Sequence, residues 1–267
     1  MNIENLTLKA IIASLCGGAE IISVYNTEFD FELKNDNTPL TLADKKCNKK
    51  IEETLKNTKI PILSEEGKSI NYNKRKKWKY LWIVDPLDGT KEFIKKNDEF
   101  TVNIALIKNN YPIIGVIYVP AKKILYFSNE NIGSYKLSIS PYEVKNIFSI
   151  EKLISNSKKL PITKNVDKHV IVASRSHMSK STEKFVENRK QKNKNIEIIS
   201  IGSSLKICMV AEGKADVYPR LAPTMEWDVA AGHAIAKYSG CKILNSENYE
   251  ELTYNKFDLY NPFFIVE

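Results

Sequence analysis

The sequence predicts a mixed protein of helices and strands in layers, with an α+β first half and an α/β second half. Apolar residues recur at helical spacing from Leu8 to Ile22. Antiparallel strands joined by a hairpin-like connection are expected between residues 101 and 127. After residue 169, strand patterns alternate with helical patterns, which is typical of α/β layering. We expect a single unit over residues 1–267, with subdomains of approximately 1–135 and 136–267.

The first half should open with two helices. The stripe from Leu8 to Ile22 predicts a first helix of about five turns. A polar turn over residues 34–44 leads into a second helix, whose buried stripe is Cys47, Ile51 and Leu55. Asp44 lies near the start of that helix, where the helix dipole favours a carboxylate. From the residues alone, Asp44 is as readily a helix cap as a functional acid.

The central stretch begins with an apolar run over residues 80–84, which suits a buried strand. Asp85-Pro86-Leu87-Asp88-Gly89-Thr90 follows, and Pro86 is expected to end the strand ladder. Two carboxylates beside a proline turn would repel each other unless a cation lay between them, and Mg²⁺ takes such oxygen ligands. The alternative, an Asp-Pro turn with Asp88 as a helix cap, is less favoured. A helix starting at Gly89 and Thr90 could hold an anion on its N–H groups.

The remaining elements follow in order. Residues 60–64 predict a short strand that ends at Glu65 and Glu66, and residues 101–107, 113–119 and 123–127 predict an antiparallel meander. Residues 133–165 are polar and irregular in pattern, so a subdomain boundary is placed within them. The second half predicts strands at 169–173, 196–200 and 215–218, with helices following residue 177, over 205–212 and over 229–238. Gly240 has the C-cap position of the last helix.

The net charge and residue composition limit the kinds of molecule that this protein is expected to bind. The net charge of +8 raises the question of nucleic acid, but the only dense basic run, residues 74–79, is better interpreted as a solvated loop. Excess positive charge would still attract a polyanionic small molecule.

The four cysteines are far apart in sequence and predict free thiols in a reducing cytosol. No apolar run approaches about 20 residues, the N-terminus is unlike a secretory signal, and no GxSxG, HExxH or P-loop motif is present.

Two motifs give the chain a family resemblance. The segment Asp85 to Thr90 resembles the signature of the inositol monophosphatase superfamily of Mg²⁺-dependent, lithium-sensitive phosphomonoesterases. Its continuation Lys91-Glu92-Phe93 is similar to the 3′(2′),5′-bisphosphate nucleotidase branch. The segment WDVAAG, which starts at Trp227, resembles the second superfamily motif, Trp-Asp-x-Ala-Ala-Gly. The resemblance implies a layered αβαβα sandwich of the inositol monophosphatase and fructose-1,6-bisphosphatase type.

The resemblance also implies roles for particular residues. Two or three Mg²⁺ ions per site would be bound, with the metal subsite in the first subdomain and the substrate side in the second. Glu65 (with Glu66 as the nearby alternative), Asp85 and Asp88 would form the activating site, and Asp85, Asp88 and Asp228 the second site. The implied metal ligands are Glu65, Asp85, the Leu87 carbonyl, Asp88 and Asp228; the catalytic residues are Asp44 and Thr90; the substrate-binding residues are Gly89, Thr90, His177, Ser203, Lys206, Arg220 and Asp228.

The activity that this resemblance implies is hydrolysis of 3′(2′)-phosphoadenosine 5′-phosphate to AMP and phosphate, in sulfur assimilation and nucleotide recycling. The alternative on the same fold is an inositol or sugar monophosphate phosphatase. A catalytically silent or RNA-associated binding protein is disfavoured, because unused clustered carboxylates would only repel one another. We therefore expect a small-molecule nucleotide bisphosphate as partner and no nucleic acid. We also expect no integral membrane segment, a monomer or homodimer, and a cytoplasmic location with possible peripheral contact at the inner membrane.

Overall fold

The computed structural model of the chain describes residues 2–33, 39–147, 149–163, 168–174, 179–192 and 195–267. Within them, the helices are α1 (Ile3–Tyr25), α2 (Leu42–Leu55), α3 (Tyr72–Arg75), α4 (Thr90–Ile94), α5 (Ile150–Ser155), α6 (Lys180–Lys192), α7 (Leu205–Ala211) and α8 (Glu226–Ser239), with 3₁₀ turns at Lys56–Thr58 and Pro141–Asn146. The strands are β1 (Phe31–Leu33), β2 (Pro39–Thr41), β3 (Ile62–Ser64), β4 (Tyr80–Asp88), β5 (Thr101–Lys108), β6 (Tyr111–Val119), β7 (Ile124–Asn129), β8 (Gly133–Ser138), β9 (Lys158–Lys159), β10 (His169–Ser174), β11 (Ile196–Ile201), β12 (Tyr218–Arg220), β13 (Ile243–Asn245) and β14 (Phe264–Val266).

A large sheet organises the first half of the chain. Its strands lie in the order β3-β4-β5-β6-β7-β8-β9. Strand β3 is parallel to β4, and each later strand is antiparallel to the one before it. Strands that follow one another in sequence are therefore neighbours in space, which confirms the predicted meander.

Both faces of this sheet are buried, as strand β4 shows. Trp82 and Val84 belong to the hydrophobic cluster that includes residues of α1 and α2. Leu81 and Ile83 belong to the cluster formed with α7 and α8 on the opposite face. Because successive side chains of a strand point to opposite faces, a continuous apolar run is what a doubly covered strand requires.

The second half adds a second layer of strands beneath α7 and α8. Strands β10 and β11 pair in parallel, and β12, β14 and β13 form a separate antiparallel sheet. Residues of β10, β12 and β14 share a cluster with α7 and α8, while Val186 of α6 packs against Ile171 and Val217 on the other side. The order of layers is therefore helix, sheet, helix, sheet and helix, and the predicted αβαβα sandwich is confirmed.

The prediction that residues 133–165 are irregular was wrong. This stretch contains β8, a 3₁₀ turn, α5 and the two-residue strand β9. Both strands extend the large sheet, so that sheet continues past residue 135, where the subdomain boundary was placed. Strand β8 mixes polar and apolar residues and carries little apolar pattern, which explains why the sequence did not indicate it. The division into two subdomains stays a prediction.

Helix α1 is, among the described helices, long and apolar enough to cross a membrane on length and composition alone. However, 56% of its most apolar window is buried inside the protein. Ile11, Leu15 and Ile21 are fully buried in the cluster shared with the large sheet. This degree of burial is typical of the core helix of a folded domain.

The basic run over residues 74–79 is only in part a solvated loop. Arg75 is 3% exposed. Its Nη1 donates to the Asn255 Oδ1 at 2.9 Å, and its Nη2 donates to the Phe257 carbonyl at 2.9 Å. One cation of the run therefore anchors the C-terminal segment of the chain.

Gly115 of β6 lets helix α8 approach the large sheet closely. A Cβ added at Gly115 would lie 2.3 Å from the main-chain oxygen of Ala231 and 2.7 Å from the Cβ of Ala234. We expect Gly115→Ala to lower the free energy of unfolding by about 1–3 kcal/mol or more, because a backbone atom cannot rotate away from the added methyl group. Urea-induced unfolding measures this change.

A matched control for this variant is Gly17→Ala. Its added Cβ would meet a side-chain atom, the Cys47 Sγ, at 2.6 Å, and alanine also gains helix propensity in α1. We expect a smaller loss from it. If Gly115→Ala unfolds at the same urea concentration as the unmodified chain, then the contact between β6 and α8 is not tight.

Candidate active site

The acidic segment at the end of β4 is shaped by an irregularity in the strand. The prediction that Pro86 ends the ladder was wrong, because β4 continues to Asp88. Asp85 pairs with Asn103 of β5 and Asp88 pairs with Thr101, so one strand advances three residues while its partner advances two. Residues three apart in a regular strand face opposite sides of a sheet. The extra residue is a β-bulge, which redirects the chain so that Asp85 and Asp88 both line the same cleft.

Glu65 and Asp228 join these two acids from other elements. Glu65 directly follows β3, and its N–H donates to the Val84 carbonyl at 3.1 Å, which places it beside Asp85. Asp228 lies in the first turn of α8, where its Oδ2 accepts from the Met225 N–H at 2.8 Å. The carboxylate therefore caps its own helix and still lines the cleft.

Carboxylates crowd together at the bottom of the cleft. One oxygen from each of Glu65, Asp85 and Asp228 lies within 4.8 Å of the other two, and Glu66 is not part of this group. Burial, followed by the charges of Glu65, Asp88 and Asp228, raises the pKa of Asp85 well above its ordinary value. Burial and the charge of Asp88 raise the pKa of Asp228 to about 8. Hard oxygen donors that destabilise each other's charge are a suitable ligand set for Mg²⁺.

The grouping of acids differs in one respect from the sequence expectation. The oxygens that approach one another come from Glu65, Asp85 and Asp228, whereas the sequence grouped Asp88 with Glu65 and Asp85. The Oδ2 of Asp88 instead accepts from the N–H of Ser204 at 2.6 Å and lies 2.8 Å from its hydroxyl. How ions are divided among these carboxylates stays a prediction.

The cleft above the acids is large enough for a nucleotide-sized ligand. It encloses about 570 Å³. The sequence-predicted residues that line it are Glu65, Asp85, Leu87, Asp88, Gly89, Thr90, Ser203, Lys206, Arg220 and Asp228. Asp44 is not among the lining residues, and His177 lies outside the described residues.

Asp44 is a helix cap in this structure. Its Oδ2 accepts from the N–H of Thr41 at 2.7 Å and from the Thr41 hydroxyl at 2.6 Å, forming a capping box at the start of α2. Thr90 lies in the cleft wall, and its Oγ1 is 3.3 Å from the Leu87 carbonyl. Catalytic roles for Asp44 and Thr90 stay predictions.

Lys206 and Arg220 supply positive charge to the same cleft. Lys206 is 7% exposed, and its Nζ donates to the main-chain oxygen of Ser203. Burial lowers the pKa of Lys206 to about 8. The Nη2 of Arg220 donates to the Pro223 carbonyl at 2.9 Å, while its Nε is buried without a hydrogen-bond partner among the described residues.

Sequence reasoning missed several residues of this site. Tyr218, Trp227 and Tyr260 line the cleft. Ser204 donates to the carboxylate of Asp88, and Asn103 donates to the hydroxyl of Ser204. Only Trp227, next to Asp228 in its motif, and Asn103, a polar residue within an apolar strand, carried a signal in the sequence. Tyr260 lies 28 residues after the end of the WDVAAG motif, so its place in the cleft depends on the fold.

Comparison with known proteins assigns the family. A model of the inositol monophosphatase family matches residues 3–261. The chain belongs to the inositol monophosphatase family. Its fold is accordingly the layered sandwich of that family.

Several members of this family are similar in sequence to this chain over most of its length. It is 40% identical over 227 residues to 3′(2′),5′-bisphosphate nucleotidase CysQ of Buchnera aphidicola, covering 84% of this chain and 78% of that one. It is 38% identical over 230 residues to CysQ of Escherichia coli K12, covering 85% of each chain. The crystal structure of CysQ from Bacteroides thetaiotaomicron is 51% identical, with a TM-score of 0.94 over 100% of this chain and 98% of that one. An IMPase from Thermotoga maritima, at 21% identity and a TM-score of 0.73, shares the fold.

Proposed function

We propose that this chain hydrolyses 3′(2′)-phosphoadenosine 5′-phosphate to AMP and inorganic phosphate, with Mg²⁺ as its cofactor. The observation that carries this proposal is one cleft lined both by clustered acids and by two cations. The acids are Glu65, Asp85 and Asp228, and the cations are Lys206 and Arg220. A substrate with two phosphates can engage both sets of residues, whereas a monophosphate engages only one. The names of the CysQ relatives agree with this substrate class.

The acids would hold the metal, and other residues of the chain would position the substrate. Glu65, Asp85, Asp88 and Asp228, with the Leu87 carbonyl, are the proposed ligands. Bound Mg²⁺ supplies charge neutralisation on the phosphoryl oxygens and makes a water more acidic. The N–H groups of Gly89 and Thr90 would donate to the phosphate that is transferred.

Thr90 is suited to orient the attacking water. In this structure the Thr90 hydroxyl donates to the Leu87 carbonyl, and its oxygen lone pairs remain to accept from a water. To pass a proton on, the hydroxyl would have to turn from that carbonyl to the carboxylate of Asp44. Asp44, whose carboxylate is fixed by Thr41, would take the proton by way of Thr90.

The substrate side lies in the second half of the chain. Arg220 and Lys206 would pair with the phosphate that is not cleaved, and Ser203 and His177 would contact the nucleoside. A phosphate oxygen would also supply a partner for the buried Nε of Arg220.

A substrate panel tests the proposal. Phosphate release is measured with 3′-phosphoadenosine 5′-phosphate and with inositol 1-phosphate, each with Mg²⁺ and with EDTA. We expect kcat/KM to favour the bisphosphate by about tenfold or more, since one charge-assisted contact is worth roughly 1.5–3 kcal/mol. Faster release from inositol 1-phosphate would favour the alternative phosphatase function. No Mg²⁺-dependent release from either substrate would favour a silent binding protein.

A specificity variant tests the role of the two cations. We expect Arg220→Ala to raise KM for 3′-phosphoadenosine 5′-phosphate about tenfold or more, while activity on a small monophosphate changes little. Lys206→Ala should act in the same direction, but it also removes the donor to the Ser203 carbonyl, so Arg220→Ala is the sharper variant. Arg189→Ala is the matched control, because Arg189 lies on α6 with its side chain 40% exposed. If both substrates lose activity equally in Arg220→Ala, then Arg220 serves the fold or the cleaved phosphate.

We further propose a cytoplasmic location, with any contact at the inner membrane being peripheral. Cys16, Cys47, Cys208 and Cys241 are all free thiols, as expected in a reducing compartment. Whether the chain is a monomer or a homodimer stays a prediction.

A further inference from the structure

Ser204, just before α7, joins three separate elements at the acidic cluster. Its hydroxyl oxygen lies 2.9 Å from the Nδ2 of Asn103, 2.8 Å from the Oδ2 of Asp88 and 2.7 Å from the main-chain oxygen of Asp228. Its N–H also donates to the Oδ2 of Asp88 at 2.6 Å. Ser204 is 4% exposed and Asn103 is 1% exposed, so water competes little for these contacts.

The direction of each hydrogen bond follows from counting protons. A serine hydroxyl has one proton to donate. The carboxylate of Asp88 and the carbonyl of Asp228 can only accept, so that proton is shared between them. Asn103 must then be the donor to Ser204. If Asn103 presented its side-chain oxygen instead, the buried hydroxyl of Ser204 would face three acceptors with a single proton to donate.

Asn103 is well placed to fix this arrangement. It lies on β5 directly opposite Asp85 in the strand register, so its backbone is held by the large sheet. The amide of Asn103 therefore sets the rotation of the Ser204 hydroxyl, and the hydroxyl proton points toward Asp88 and Asp228.

We propose that Ser204, oriented by Asn103, is a positioning residue that holds Asp88 and the start of α8 in the geometry needed to bind the metal. Two donors on one oxygen of Asp88 fix the rotation of its carboxylate and leave the other oxygen for Mg²⁺. The contact with the Asp228 carbonyl ties the backbone of a second ligand to the same hydroxyl. This inference rests on the proposed Mg²⁺ site.

Metal binding provides the test, with activity as a second readout. Removing an outer partner of a metal ligand commonly costs about 10–100-fold in metal affinity or activity. We expect Ser204→Ala to weaken Mg²⁺ binding about tenfold or more, by calorimetry and by the rise in Tm that Mg²⁺ produces. The Mg²⁺ concentration at half-maximal phosphate release should rise in parallel, and kcat should largely recover at saturating Mg²⁺. A variant that was merely less stable would still bind Mg²⁺ with unchanged affinity at temperatures well below its Tm.

Three further variants make the test specific. Ser204→Thr keeps the hydroxyl and should recover most of the affinity. Asn103→Leu removes the orienting donor and should weaken Mg²⁺ binding in the same direction, with less than additive loss when combined with Ser204→Ala. Ser134→Ala is the control, because Ser134 is equally buried and its hydroxyl donates to the Ile235 carbonyl at 2.7 Å, away from the acids.

The outcomes separate the two proposals. If the unmodified chain binds Mg²⁺ and releases phosphate, but Ser204→Ala and Asn103→Leu bind Mg²⁺ as tightly as Ser134→Ala, the positioning role is wrong and the proposed function stands. If Ser204→Ala fails to fold, Asn103→Leu and Ser204→Thr decide the question. If the unmodified chain neither binds Mg²⁺ nor releases phosphate, both proposals are overturned.

Discussion

Replacing Asp88 with Asn is expected to abolish phosphate release while the chain still folds. An asparagine has nearly the same shape and can still accept from the Ser204 N–H, so the local structure should survive. It lacks the negative charge that the metal site requires. Because both the metal and the attacking water would lose their positions, the turnover rate should fall by several orders of magnitude.

The stability of the same variant supplies an independent check. The charge of Asp88 helps to raise the pKa values of Asp85 and Asp228, which means that the three carboxylates repel one another when no cation is bound. In EDTA, Asp88→Asn should therefore be at least as stable as the unmodified chain. In Mg²⁺ it should gain less in Tm than the unmodified chain does. Near-normal turnover at saturating Mg²⁺ would rule out Asp88 as a ligand.

The second large effect is expected from Asp44→Asn, which should lower kcat by about 10²–10⁴-fold. Mg²⁺ binding should change little, because Asp44 does not line the cleft. The physical reason is the loss of a proton acceptor: an amide can still accept from the Thr41 N–H but cannot take a proton from Thr90 or from a water. Steady-state kinetics at saturating Mg²⁺ measures the change.

Thr41→Ala separates catalysis from capping. It removes the side-chain cap of α2, which is worth about 1 kcal/mol, but it keeps the charge of Asp44 and the backbone N–H that donates to its carboxylate. We expect Thr41→Ala to melt earlier and to keep most of its kcat. If Asp44→Asn shows the same behaviour, then Asp44 is only a helix cap.

The sequence predicts those parts of the fold that are recorded in local patterns. The apolar stripe in α1 indicates one buried face, and the continuous apolar run in β4 indicates a strand buried on both faces. The structure places both elements in the core. Pro86 misled the prediction, since proline usually ends a strand, but here it lies within a β-bulge that the strand accommodates. Strand β8 was not predicted because a strand of mixed polarity has no strong apolar period.

The same distinction applies to the site. Asp85 and Asp88 are only three residues apart, so the sequence alone could predict that they bind a metal together. Asn103 and Ser204 are 101 residues apart, and their hydrogen bond exists only because β5 and the start of α7 meet in the folded chain. No single-sequence pattern encodes such a pair. The proton arrangement at Asp88 was therefore accessible only from the three-dimensional structure.

The burial of α8 has a consequence for how ligands enter. This helix lies between two sheets, with Ala231 pressed against Gly115 on one side, and it carries Asp228 at its first turn. A hinge that parted the two halves would have to break this contact and expose the apolar cluster on both sides of the helix. A ligand would therefore have to enter without parting these layers, past lining side chains such as Tyr260, which is 55% exposed.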